Sequence, residues 1–260
     1  MQEVKFNNHE IQQFIAASLV IGFVFSFGAQ ANLLSWLKEF ILATLLGGFA
    51  LYIKVLGQKY AAVSNGAEAK FELWTISRFW FNKAAVLKKP ANQFLKHLYN
   101  FTFILFSFWL ILPVLLVFLS NGNIHFLAVS TLAVGVTAAH RLGKKYIQPS
   151  EAEIAKIALV GPVLNILFAL IVKTLFGLSG IAGLFVSINI ALAISNMIPL
   201  PKLDGGLIFF GSKLFYIFSI IFILGCTFLI YFLTIVPAII LSLIFATTIL
   251  VLYYYFHVFK

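Results

Sequence analysis

Asp204 is the residue of this chain whose type and setting most invite chemistry. It is the only aspartate in 260 residues, and strongly apolar stretches flank it. A carboxylate at membrane depth costs roughly 2.5–3.5 kcal/mol on insertion scales unless it has a partner, so such an acid reads as a functional site. Its local sequence is Asn196-Met197-Ile198-Pro199-Leu200-Pro201-Lys202-Leu203-Asp204-Gly205-Gly206. Pro199 and Pro201 interrupt any helix there, and the freed carbonyls must find partners in protein or water. Gly205 and Gly206 let the backbone bend and pack closely. The expectation is a broken intramembrane segment presenting one acid.

Other metal-ligating types are scarce. The single cysteine, Cys226, lies inside an apolar run, so it offers neither an internal disulfide nor a cysteine-based zinc site. His9-Glu10-Ile11-Gln12-Gln13 has four of the five positions of a His-Glu-x-x-His zinc pattern, but Gln13 stands at the second histidine, and an interfacial helix start explains it more simply. His140 has Arg141 and Lys144 close by, and two cations disfavour a metal. His97, His125 and His257 sit near expected membrane edges without a paired ligand.

These residues need elements to hold them. Hydrophobic residues make up 62% of the chain and charged residues 10%, with a mean hydropathy of +1.04. A soluble domain cannot hide that much apolar surface. The expected fold class is all-α: one integral membrane domain over residues 1–260, a polytopic transmembrane bundle of about 6–8 spans, since some 20 apolar residues cross a bilayer core of about 30 Å. Apolar runs cover residues 11–28, 33–56, 97–120, 154–176, 181–200, 214–235 and 237–258, the last pair broken at Pro237. Residues 124–139 are apolar but short and rich in small side chains; a span, a re-entrant piece and strands all fit. The most polar stretch is 57–96, where partial alternation from Ala69 to Asn82 suggests a short β-hairpin, with a membrane-hugging loop as the alternative.

The net charge is +10, and the cations cluster between apolar runs. The positive-inside rule explains that pattern, so no nucleic-acid partner is expected. If 124–139 crosses, nearly all Lys and Arg fall on one side, giving eight crossings with both termini cytoplasmic.

The motif Asn196-x-x-Pro199-x-x-x-Leu203-Asp204-Gly205-Gly206 resembles a signature of the site-2 protease family of intramembrane zinc metalloproteases. Gly161-Pro162-x-x-Asn165 resembles that family's Gly-Pro-x-x-Asn helix start. Gly161 would allow close helix approach, and Pro162 suits a first helical turn. The resemblance covers about residues 33–74 and 154–212, leaving 11–28, 97–120 and 214–258 as accessory spans. It implies that Asp204 matches the third zinc ligand and that Asn165 matches a cleft residue able to hydrogen-bond backbone. A helix-packing role for Asn165 is the plain alternative.

Such enzymes need His-Glu-x-x-His on a helix: two histidines one turn apart bind zinc, and the glutamate activates water. The resemblance places those five positions at Lys54-Val55-Leu56-Gly57-Gln58, ahead of a family-like continuation through Lys59-Tyr60-Ala61-Ala62, Gly66 and Phe71-Glu72-Leu73-Trp74. All three chemical groups are absent. Asp204 is the one retained ligand, no bound metal or other cofactor is expected, and Val55 cannot move a proton. The ammonium of Lys54 would instead stand in for the metal's charge, so Lys54, Gln58 and Asp204 are expected to converge. The implied function is a catalytically inactive homologue that binds transmembrane segments or a membrane partner. An active zinc metalloprotease with other ligands, and a small transporter or channel handling an ion at Asp204, are the alternatives.

Overall fold

The computed structural model describes residues 6–28, 32–73, 108–136 and 149–258. Among them are eight helices and one pair of strands: α1 (Asn8–Ser26), α2 (Leu33–Ser64), β1 (Ala67–Leu73), α3 (Phe108–Leu119), β2 (Ser130–Val136), α4 (Glu151–Phe176), α5 (Gly180–Asn196), α6 (Asp204–Gly211), α7 (Lys213–Leu229) and α8 (Ile235–Val258). The chain is therefore mostly helical, as its composition implies. Four helices are long and apolar enough to cross a membrane: α1, α2, α4 and, over Ile235–Phe256, α8. The apolar helices α5 and α7 have 17 residues each, which at 1.5 Å per residue is about 26 Å.

Several boundaries differ from those the apolar runs suggest. Helix α2 continues through residues 57–64, which polarity assigns to a loop; Gln58 and Lys59 there are buried inside the protein. Pro237 does not break a helix. It is the third residue of α8, in the first turn, where its missing N–H costs nothing. Of 97–120, Phe108–Leu119 is helical, and 97–107 lie outside the described residues. Of residues 124–139, 124–136 are not helical: 124–129 have no regular structure, Ser130–Val136 form β2, and 137–139 lie outside the described residues. The eight-crossing scheme, which needed a crossing there, fails at that point.

The expected hairpin is also corrected. β1 begins earlier than the alternation suggested, and it pairs antiparallel with β2, with Phe71 opposite Leu132 and Leu73 opposite Ser130. This partner lies about sixty residues on in the chain. Residues 74–82, the hairpin's remainder, lie outside the described residues. β1 alternates strictly between buried and exposed positions, turning Ala67, Ala69, Phe71 and Leu73 inward.

Glycines set the helix contacts that matter for the site. Gly57 of α2 lies against Leu164 of α4, leaving no room there for a Cβ. A Cβ on Gly161 would lie 2.6 Å from Gln58 Nε2 and 2.8 Å from Lys54 Cγ. Thus α2 and α4 close on each other where the two long polar side chains of α2 pass. Helix α4 is started by a capping box: Glu153 N–H donates to Ser150 Oγ at 3.2 Å, and Ser150 N–H to Glu153 Oε2 at 3.0 Å. One apolar cluster joins α1, α2, β1 and α5 around Leu51, Phe71 and Ile188; a second joins α4, α5, α7 and α8 around Ile166, Ile223 and Ala238.

Candidate functional site

Asp204 opens α6 immediately after the irregular stretch that follows α5, and it is fully buried. Two tight turns carry the chain there: Leu200 N–H donates to Ile198 O at 2.8 Å, and Leu203 N–H to Leu200 O at 3.2 Å. Lys202, inside the second turn, is at φ +70, in the left-handed region. Gly205 and Gly206 are required by this path. A Cβ on Gly205 would run into the carbonyl oxygen of Met197, and one on Gly206 into that of Leu200. Backbone cannot swing aside as a side chain can. We therefore expect Gly205→Ala to destabilise the fold by about 1–3 kcal/mol, read as a lowered unfolding temperature in detergent. A Cβ on Gly161 would instead press on Gln58 and Lys54, the two side chains of α2 that meet the acid.

Lys54, Gln58 and Asp204 meet. Lys54 Nζ lies 2.9 Å from Asp204 Oδ2, with the two side chains 1% and 0% exposed. This is a contact of charges: Oδ2 receives no well-aligned hydrogen bond from it. Gln58 Nε2 donates to Asp204 Oδ1 at 3.1 Å and to the Ala158 carbonyl at 3.1 Å. The residues at i and i+4 of α2 thus present one face to the acid. Both oxygens of the carboxylate are met from α2, and the backbone of α4 holds Gln58 in place.

The fourth member of the cluster was not foreseen. Lys54 Nζ donates to Ser130 Oγ of β2 at 2.7 Å, a buried contact between residues 76 apart in the chain. The segment before and into β2 is pinned to the same neighbourhood twice more. Leu127 N–H donates to Ser195 Oγ at 2.9 Å, and the Thr131 hydroxyl donates to the Lys202 carbonyl. Ala128 packs beside Leu203, the residue preceding the acid. The consecutive pair Ser130-Thr131 inside an apolar run was the sequence signal for these contacts.

The remaining expected residues fall out as follows. Val55 faces away into the apolar cluster of Leu51, Phe71 and Leu127. Asn165 is fully buried in α4, and neither its Oδ1 nor its Nδ2 finds a hydrogen-bond partner. Asn196 is buried and bonds back to Leu192 O at 2.7 Å through its Nδ2. Pro162 is buried within α4, eleven residues after that helix begins, so the family-like helix start at Gly161-Pro162 is mid-helix here. Pro199 is exposed. His125 stacks on Phe25 with ring centroids 4.6 Å apart, away from Asp204's partners. His140 and His97 lie outside the described residues.

Glu10 does more than start a helix. It is buried, and its carboxylate accepts from Lys59 Nζ at 3.0 Å on each oxygen, from Phe71 N–H at 2.7 Å and from Asn7 N–H at 2.8 Å. Lys59 also lies over the Phe6 ring, 4.2 Å from its centroid. So α2 carries two buried lysines, each paired with a carboxylate from another helix.

No three His, Cys, Asp or Glu side chains among the described residues come together as a metal-holding group. The donor set around Asp204 does not fit zinc: its neighbours are an ammonium, which has no lone pair to give, and an amide already donating. What the arrangement can do is neutralise a deeply buried acid from within the protein.

Comparison with known proteins gives no match to a family model, to a curated protein or to a solved structure.

Proposed function

We propose that this chain is a multi-pass membrane protein of the site-2 protease type in which the zinc site has been exchanged for an internal ion pair. It works without catalysis, holding a transmembrane segment or a membrane-protein partner near the Asp204 segment. The observation that carries the reading is the Lys54–Asp204 pair at 2.9 Å, at the positions where the resemblance puts a histidine ligand and the aspartate ligand. Val55 supports it, because an apolar side chain stands where the resemblance puts the glutamate base. Asn165 supports a binding role: its amide, buried and without a partner, can take one backbone N–H and one carbonyl of a docked segment.

Metal analysis combined with crosslinking tests this reading. The purified chain is expected to carry less than about 0.1 zinc per molecule, because one carboxylate paired with an ammonium is no zinc site. A photo-crosslinking side chain at Leu200 is expected to capture an intact membrane protein. One zinc per chain, lost in Asp204→Ala, would establish the metalloprotease instead. Solute uptake lost in Asp204→Ala would establish a transporter.

A further inference from the structure

The two buried ion pairs are joined by the small sheet. Glu10 holds β1 through the Phe71 N–H. Phe71 is in register with Leu132 of β2, two residues from Ser130, and alternation puts Leu132 and Ser130 on one face of that strand. Ser130 in turn accepts from Lys54, which faces Asp204. The same α2 also supplies Lys59 to Glu10. The sheet is therefore tied twice near its Leu73–Ser130 end: β1 to the first turn of α1, and β2 to the Asp204 cluster.

The apolar grip beneath much of the sheet is slight. Ala67, Ala69 and Leu132 form a small cluster with Ala62 and Ile157, and three of those five side chains are single methyl groups. Phe71 and Leu73 are the large anchors, both in the main apolar cluster, and the Phe71 backbone is the group Glu10 holds. With so little apolar area beneath the rest of the sheet, the polar ties at this end weigh heavily in how often it lifts. A carboxylate taking bonds from an ammonium and two backbone N–H groups is a strong tie.

We propose that the first turn of α1 is a strap: through Glu10 it holds the β1–β2 sheet down against the Lys54–Asp204 cluster, and releasing Glu10 opens that cluster to its surroundings. The strap is a property of the fold and stands whether or not the site takes a transmembrane segment. Anything that displaces the first turn of α1 then changes access to a site held by other helices, which is a coupling between two separate places.

Thiol accessibility tests the strap without reference to function. Cys226 is the only cysteine, so Cys226→Ala gives a clean background. Ala128→Cys reports from beside Leu203, and Ala238→Cys reports from α8, in the second apolar cluster. In the full chain in native membranes, adding Glu10→Gln is expected to raise N-ethylmaleimide labelling at position 128 about tenfold, within the range of ordinary intersite couplings, and to leave position 238 unchanged. No change at 128, or an equal rise at both positions, would overturn the proposal. Hydrogen exchange on the unaltered chain gives a second reading that survives a folding failure of the variant. Amides of β1 and of residues 127–131 should exchange together, as one opening unit; rates differing by more than about tenfold would show that the sheet and the cluster open separately.

Discussion

Replacing Lys54 and Gln58 together by histidine is expected to convert the buried cluster into a zinc site. The two positions are one helical turn apart on α2, and both side chains already reach the Asp204 carboxylate, at 2.9 Å and 3.1 Å. Two imidazoles and one carboxylate form a three-ligand zinc set. Removing Lys54 also removes the cation that answers Asp204, so the substituted site gains from a divalent ion twice: by coordination and by neutralisation. The expected result is about one zinc per chain, lost again when Asp204→Asn is added. Zinc at about one hundred times its dissociation constant should stabilise the double variant by about 2.7 kcal/mol over its metal-free form, visible as a raised unfolding temperature. Peptide hydrolysis is not expected, since Val55 remains in an apolar cluster. Elemental analysis of purified protein decides it: zinc no higher than in the parent chain would mean that α2 and Asp204 do not share the geometry described.

The second large effect is the loss of Asp204 itself. Asp204→Ala leaves the Lys54 ammonium 1% exposed with Ser130 as its remaining neighbour, and it strips Gln58 of one acceptor. Breaking one side of a buried pair costs about 3–5 kcal/mol, because the surviving charge is uncompensated. Lys54→Met alone should cost a similar amount by stranding the carboxylate. The double variant Lys54→Met with Asp204→Leu should be far milder than either single change, since replacing both members of a buried pair by apolar groups is often close to neutral. Thermal unfolding of the four forms in one detergent measures this as a double-mutant cycle. Additive losses in the double variant would mean that the two charges do not depend on each other.

The contrast between those two residues and their neighbours shows what could be read from the sequence. Asp204 announced itself by being the sole aspartate in an apolar setting; Lys54 and Gln58 were reached through the resemblance, which sets them at its two histidine positions, four apart on one helix. Local periodicity is visible in a sequence, so a single helical face could be predicted. Ser130 was hidden because its contact spans 76 residues, and a short apolar run is ambiguous between strand and helix. Glu10 and Lys59 were hidden for a related reason. Each looked like an ordinary charge at the end of an apolar run, and only their meeting across 49 residues buries them. Pro237 misled in the opposite direction: proline marks both helix breaks and helix starts, and the flanking residues did not separate the two.

The length of α2 has a consequence for depth. It has 32 residues, about 48 Å of helix, against a hydrocarbon slab of about 30 Å. Lys38 and Glu39 are the charges near its start and suit the headgroup level there. From Lys38 the axis climbs about 24 Å before reaching Lys54. Standing upright, such a helix would carry its ammonium about one turn short of the far edge of the hydrocarbon, well off the midplane, where local thinning brings it within reach of interfacial water, whereas a lean would carry it back towards the midplane.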